Sequence, residues 1–397
     1  MTETPRSPAG LTYFESRLDE AIDLLRRLVE IDSPTSDKRG VDRVGALVAE
    51  ELRAAGAAVT SIRQPASGDP LRAEFGPAAG PGAGDRRPAL LLGHLDTVWP
   101  AGEAARRPFR VEGPYAFGPG VFDMKVGLVL CVLLARARKE GVFRPRLPVV
   151  CFFSGDEETG SPASRPHLEA EARGARYVLG LEPCNPDGGA KTVRKGVGRI
   201  VLEVAGLPAH AGIDPEKGVN AIEELAAQVL AVKLLEDRGA GTTVQAGLIS
   251  GGVAKNVVAP RARAEFDVRV PSPGEWSRVE TAALNLRARN PRARLRVETA
   301  LTHPPMVRTV AVASLYEQAR RIAGQIGFTL NEGSTGGGSD GSYCAAIGVP
   351  VLDGLGVEGE GAHAESERVR LDRIVPRAAF LAGILETVDQ PNTRTGS

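Results

Sequence analysis

Imidazoles are scarce in this chain, five in 397 residues, and two of them stand among carboxylates. His94 precedes Asp96 by two residues in GHLDTV, and His363 lies in the acid-rich GEGAHAESE. Between them fall Asp123 in GPGVFDMK, the triplet Asp156, Glu157 and Glu158 in SGDEETG, and Glu182 in GLEP. Taken singly, each position reads most simply as solvated, a loop histidine or an exposed acidic turn. Taken together they raise a question of charge. Carboxylates crowded into one low-dielectric cleft repel one another, and two imidazoles neutral near pH 7 do not balance them, whereas a divalent cation does. Imidazole nitrogen and carboxylate oxygen without thiolate suit Zn²⁺, with Mn²⁺ or Co²⁺ as alternatives.

Other residues offer less. His167 sits in a charged helical segment and reads as a surface residue; His303, before Pro304-Pro305, has a weaker claim to face a substrate. Gly337-Gly338-Ser339-Asp340-Gly341 fits the G-x-S-x-G of a serine hydrolase, with Asp353 and His363 as the available acid and base. That alternative leaves the upstream acid and imidazole cluster without a purpose. The same glycine run lacks the GK[ST] that a phosphate loop requires.

The candidate ligands are far apart in sequence, so the fold must gather them. Helical spacing at Leu18, Ile22, Leu25 and Val29, then at Val44, Leu47, Val48 and Leu52, alternates with short apolar runs at 58–62, 89–92, 149–153 and 177–181. A helix is predicted over 126–139. This alternation predicts an α/β layer with a largely parallel sheet. Ligands of such sheets bind beyond the carboxyl ends of the strands. Three of the runs lead directly into His94 and Asp96, into Asp156–Glu158, and into Glu182. Asp123 reaches the same edge from the loop before a helix, and His363 follows a strand-like run at 350–355.

The middle of the chain has a different rhythm. A strand at 200–204, a helix at 220–235, strands at 243–249 and 262–270, a helix at 275–289 and a strand at 295–299 form the order β-α-β-β-α-β. This is the ferredoxin-like split motif. Helices at 312–327 and 371–388 then return to the earlier style. The expected architecture is a discontinuous α/β domain, 1–193 and 308–397, carrying an inserted α+β domain at 194–307. The Gly/Pro-rich stretch 76–88 reads as an exposed loop.

Composition narrows the function classes. Lys+Arg and Asp+Glu both number 49, so no net field draws the chain to nucleic acid or to an anionic membrane. The apolar run 126–135 is too short to span a bilayer, and the start MTETPRSPAG lacks the apolar stretch of a secretion leader. Cys131, Cys151, Cys184 and Cys344 show no CxxC spacing and read as buried free thiols, the pattern of a cytoplasmic protein.

GHLDTV, GPGVFDMK, SGDEETG, GLEP, PAHAG and GEGAHAESE, in this order, resemble the signature of the M20 metallopeptidase family, in its glutamate carboxypeptidase and aminoacylase branch. The resemblance covers nearly the whole chain. It implies a zinc aminopeptidase-like catalytic domain with an inserted ferredoxin-like dimerisation or lid domain, and two bridged Zn²⁺ per chain. Asp123 would be the shared carboxylate, His94 and Glu182 would complete one site, and Glu158 and His363 the other. Asp96 would orient the His94 ring through its free nitrogen. Glu157 would be the general base on a metal-bridging water, passing the proton on to the departing amine.

The resemblance extends to the insert. His210 of PAHAG matches a histidine that stabilises the developing oxyanion and can come from the partner subunit of a homodimer. Asn256 and Arg269 match residues that approach the substrate carboxylate. The loop Thr335-Gly336-Gly337-Gly338-Ser339-Asp340 matches a substrate loop whose small residues let backbone amides come close to a ligand. The implied substrate is a small peptide or N-acyl amino acid, cut at the amide of its C-terminal residue. Two departures stand out. GPG, with Pro119, replaces a glycine–basic–glycine pattern, and Leu301-Thr302-His303-Pro304 lacks the arginine of the glutamate-specific branch. A non-catalytic binding protein of the same fold is the remaining alternative; it would be expected to lack a ligand or the base, and none is missing here.

Overall fold

The strand Ala89–His94 is buried along its whole length, as expected of a strand covered on both faces. In the computed structural model, which describes residues 10–77 and 87–389, it forms the middle of a six-stranded sheet. Residues 1–9 of the polar start and 78–86 of the Gly/Pro-rich stretch lie outside the described residues. Val149–Ser154 and Tyr177–Gly180 flank the central strand, both parallel to it, and Val351–Leu352 continues the parallel set. On the other side Leu71–Phe75 runs antiparallel to Val149–Ser154, with Ala58–Ser61 antiparallel beyond it.

The sheet is therefore mixed, with three of its five pairings among the described residues parallel and two antiparallel. The antiparallel pairings both involve Leu71–Phe75, which the apolar-run reading passed over. Its sequence LRAEF buries Leu71, Ala73 and Phe75 and turns Arg72 and Glu74 the other way, so it carries alternation instead of a continuous apolar run.

Helix Val126–Lys139 is buried on every side from Val126 to Ala135, the mark of a helix enclosed by other elements. Leu18–Val29 and Lys38–Ala54 each bury one stripe, led by Leu24, Leu25 and Leu28 and by Val41, Val44, Val48 and Leu52. Val310–Ile326 and Ile374–Thr387 contribute to the same core. All four cysteines are buried and free. No helix among the described residues is long and apolar enough to cross a membrane.

The chain divides into two compact units. The first is Met1–Val193 with Arg308–Ser334 and Ser339–Ser397; the second is Arg194–Val307 with Thr335–Gly338. The second has its own sheet, four antiparallel strands in the order Thr243–Gly251, Arg261–Val270, Gly196–Ala205, Arg294–His303. Helices Ala221–Lys233 and Pro273–Leu284 complete the ferredoxin-like arrangement over a core that includes Ile200, Leu202, Phe266, Val268 and Trp276. Trp276 packs so closely on Gly198 that a Cβ there would lie 2.2 Å from the ring. The second helix ends at Leu284, short of the expected 289. Buried Glu224 accepts the amides of Arg289 and Asn290 at 2.8 and 2.9 Å, which draws the chain out of the helix.

Candidate metal centre

The parallel strands deliver their chemistry to one edge because their registers align. His94 pairs with Ser154, and Leu92 with Gly180, so the chain continues from three neighbouring strand ends into Asp96, Glu157–Glu158 and Glu182. Two backbone bonds carry the alignment past the sheet: Leu95 donates to Ser154 O at 2.8 Å and Leu181 to Leu92 O at 2.9 Å. Asp123 comes from the tight turn Val121–Lys125 that precedes the enclosed helix. His363 takes a left-handed backbone, φ 62°, a conformation that costs energy for a residue with a Cβ and is concentrated at functional sites.

Asp123 divides its two oxygens between two imidazoles. Oδ1 lies 3.3 Å from His94 Nε2, and Oδ2 lies 3.3 Å from His363 Nε2. Glu182 Oε1 stands 3.7 Å from His94 Nε2, and Glu158 Oε2 stands 3.3 Å from His363 Nε2. The five residues thus form two groups sharing one carboxylate. Ligand atoms of His94, Asp123 and Glu158 all lie within 4.8 Å of one another.

The donor set fits a metal pair on two further observations. Glu158 Oε1 is buried and finds no hydrogen-bond partner among the described residues, a cost that a cation would relieve. His94 Nδ1 is 2.9 Å from the Asp96 carbonyl oxygen. A carbonyl only accepts, so Nδ1 carries a proton, and a cation that displaces the proton on Nε2 would find that nitrogen's lone pair aimed into the cluster.

Electrostatics point the same way. Burial would lower the His94 imidazole, but Asp123, Asp96, Glu182 and Glu157 hold it well above its usual range. Asp123 and Glu158 push His363 up to about 10. Burial would raise Asp123, yet His363 and His94 keep it below the usual carboxylate range. Imidazolium charge here fills the place a cation would take. Burial and neighbouring Glu182 push Glu157 well above the ordinary glutamate value, and burial also raises Glu158.

Asp96 meets His94 Nδ1 with both its carbonyl and its carboxylate. The His94 ring bonds to its backbone carbonyl, while the carboxylate lies farther from that nitrogen, at 3.4 Å. The carboxylate also accepts the Thr35 hydroxyl at 2.6 Å and the amides of Glu157 and Glu158, each at 3.1 Å. Asp156 accepts from the Ala163 amide at 2.7 Å and from Ser164, so it shapes the loop rather than joining the cluster.

Two carboxylates carry supporting roles that the sequence did not assign to them. Asp340 is buried between the hydroxyls of Ser154 and Ser161, on either side of the Glu157–Glu158 loop. Burial pushes it up to about 6, against the opposing effect of those two hydroxyls. Glu367 accepts four hydrogen bonds around the Asp123 turn. It closes the GEGAHAESE motif, and Asp340 stands two residues after Gly338, the last of three consecutive glycines; position in a motif was the available signal.

The serine hydrolase alternative fails on geometry. Ser339 is buried and donates to Asp353 Oδ2 at 2.7 Å, while His363 is engaged with Asp123 and Glu158. The hydroxyl has an acid beside it and no imidazole among its described partners.

The remaining expected residues belong to the second unit. His210 and Asn256 sit on adjoining segments, joined by the Ala211 amide on Asn256 O at 3.0 Å. Arg269 closes its fork on Asp267, with 2.8 Å from Nε and 2.8 Å from Nη2, and Nη1 donates to Gly336 O at 2.9 Å. Arg194 donates to the carbonyls of Gly337 and Gly338, and Thr335 Oγ1 accepts the Gly337 amide. His303 rests against Gly338.

A mixed sheet with clustered acids and imidazoles at its strand ends and a separate antiparallel insert is the architecture of a class of metallopeptidase. Residues 90–387 match the model of peptidase family M20/M25/M40, and the chain belongs to that family. It is similar to carboxypeptidase G2 of Pseudomonas sp. (strain RS-16), with 30% identity over 94% of this chain and 90% of that protein. The fold is shared with aminopeptidase PepT of Bacillus cereus: TM-score 0.75, 21% identity, 93% of this chain and 98% of that one. It is shared also with YXEP of Bacillus subtilis, described as a dinuclear metal binding peptidase: TM-score 0.68, 15% identity, 94% and 99% covered. The protein is an M20-family metallopeptidase and a carboxypeptidase G2-like hydrolase.

Proposed function

We propose that the chain holds two divalent metal ions, zinc by donor chemistry, and hydrolyses the amide that joins a C-terminal amino acid to a peptide or acyl group. The observation that carries this reading is Asp123, one oxygen facing His94 and Glu182, the other facing His363 and Glu158. The dinuclear description of the Bacillus subtilis relative is consistent with it.

When bound, the metal pair would polarise the scissile carbonyl and acidify the attacking water. Glu157 takes up that proton at its carboxylate and delivers it to the departing nitrogen, a task suited to a glutamate whose burial raises its affinity for protons. Asp96 holds the amides of residues 157 and 158, so base and ligand leave one fixed turn in different directions.

The insert supplies recognition in this reading. Arg269 is the cation that would clasp the substrate carboxylate, exchanging its two bonds to Asp267 for it. His210 would stabilise the oxyanion from the partner subunit of a homodimer. Its support is distance: His210 bridges to Val257, before strand Arg261–Val270 begins, whereas Arg269 lies near that strand's far end. Eight steps of roughly 3.3 Å separate Arg261 from Arg269, too far for one small substrate to touch both within a subunit. Leu248 and Ile249 on strand Thr243–Gly251 are exposed, as is Ile222 beside Gly251, and they offer apolar surface for pairing.

The direct test is hydrolysis of N-acyl amino acids and dipeptides by metal-reconstituted protein, with C-terminally amidated analogues alongside. Cleavage of the free acids and not of the amides is expected. Equal cleavage of both would sink the C-terminal assignment.

A further inference from the structure

Glu367 is buried, 1% exposed, and every hydrogen bond it accepts comes from elements that frame Asp123. Oε1 accepts the amides of Phe122 and Asp123, both at 3.0 Å. Oε2 accepts the Gly120 amide at 2.9 Å and the Trp99 indole at 2.8 Å. Three amides of one turn converge on a single carboxylate, the arrangement of a backbone anion nest. Gly120 makes the convergence feasible: its φ of 72° favours glycine, and a Cβ there would lie 2.6 Å from Thr97 Cγ2.

The same residue is tied to His363. The Ala364 amide donates to Gly361 O at 2.8 Å and the Glu367 amide to Ala364 O at 2.9 Å, so His363 and Glu367 belong to one continuous turn. Arg107 braces that turn from outside. Its guanidinium stacks 4.0 Å from the Trp99 ring centre and donates to Glu365 O at 2.8 Å.

We propose that Glu367 is a positioning residue: it sets the Asp123 carboxylate between the two imidazoles and locks the Asp123 turn to the His363 turn, so that both ligands move as one piece. A carboxylate must present its two oxygens in opposite directions to serve two groups, and that requires a fixed backbone at residue 123. The Glu367 nest fixes it. Glutamine is nearly the same size but can offer these donors one oxygen only, and it places an amide N–H against the others. This proposal rests on the reading of Asp123 as the shared ligand.

The test measures zinc affinity of the full chain by competition with a chromophoric chelator, together with the melting temperature of the metal-free protein. Glu367→Gln is expected to bind zinc 10- to 100-fold more weakly, the usual cost of removing support from behind a ligand. Its kcat should recover as free zinc is raised, with KM unchanged; a merely structural role would lower the melting temperature without a zinc-dependent rescue. Trp99→Phe removes one donor from Oε2, keeps a ring under Arg107, and should weaken zinc a few-fold. It decides the matter if Glu367→Gln does not fold, and parental zinc affinity in it would then overturn the proposal. Parental affinity in folded Glu367→Gln, beside loss of zinc in Asp123→Asn, would likewise overturn it. Zinc retained in Asp123→Asn as well would overturn the shared-ligand reading instead.

Discussion

The Asp96 carboxylate accepts the Glu157 amide at Oδ1 and the Glu158 amide at Oδ2, so one acid anchors both the candidate base and a candidate ligand. Neighbouring residues held this way can diverge in function while sharing a backbone. Glu157→Gln should keep about two metals and bind substrate, yet lower kcat on the order of 10²- to 10⁴-fold, the usual worth of a general base. Glu158→Gln should lose metal before it loses anything else. Elemental analysis beside steady-state kinetics separates the two; parental turnover in Glu157→Gln would remove it from the chemistry.

The metal-free protein should become less stable as pH rises. Folding raises His363 to about 10 from an unfolded value near 6.5, so its contribution is complete below about pH 6.5 and is lost as pH climbs toward 10. His94 shifts in the same direction. Melting temperatures of chelator-treated protein should therefore fall across that window, and metal-loaded protein should fall less. A rise with pH in the metal-free protein would contradict the imidazolium–carboxylate cluster.

Ser339→Ala should leave kcat within about two-fold while costing roughly 1–3 kcal/mol of stability, the range for losing a partner of a buried polar group. Activity assays and denaturant titration of the same preparation read both. Loss of activity with intact metal content and fold would reopen nucleophilic catalysis.

Much of this cluster was legible because several of its acids and imidazoles follow continuous apolar runs. ALLLG before His94 and VVCFFSG before Asp156 announce buried strands, and the carboxyl ends of such strands are where chemistry collects. The supports were less visible. Asp340 and Glu367 act through a short loop's hydroxyls and a turn's amides, and Glu367 lies 244 residues from the Asp123 amide it holds. Backbone donors leave no residue type to recognise. Asp267 and Arg269, by contrast, are two apart on one strand and share a face, so their pairing was implicit in EFDVRV.

Arg269→Lys should raise KM for a free-acid substrate far more than for its methyl ester, since an ammonium cannot reproduce a two-pronged clasp. Asp267→Asn, which frees the guanidinium, should lower KM for the free acid. Equal effects on acid and ester would place Arg269 away from the carboxylate.

His210→Ala should depress kcat rather than KM, as loss of an oxyanion donor does. Mixing inactive His210→Ala with inactive Glu157→Gln, under verified subunit exchange, should restore part of the activity through hybrid dimers. No recovery would assign His210 to its own subunit.

The sharing of Asp123 between two metal sites is tested most directly by titrating metal-free protein with zinc while following activity and bound metal together. Activity should saturate at about two zinc ions per chain, and Asp123→Asn should bind neither tightly. Full activity in protein that elemental analysis shows to be metal-free, or saturation at one ion with Asp123→Asn unaffected, would contradict it.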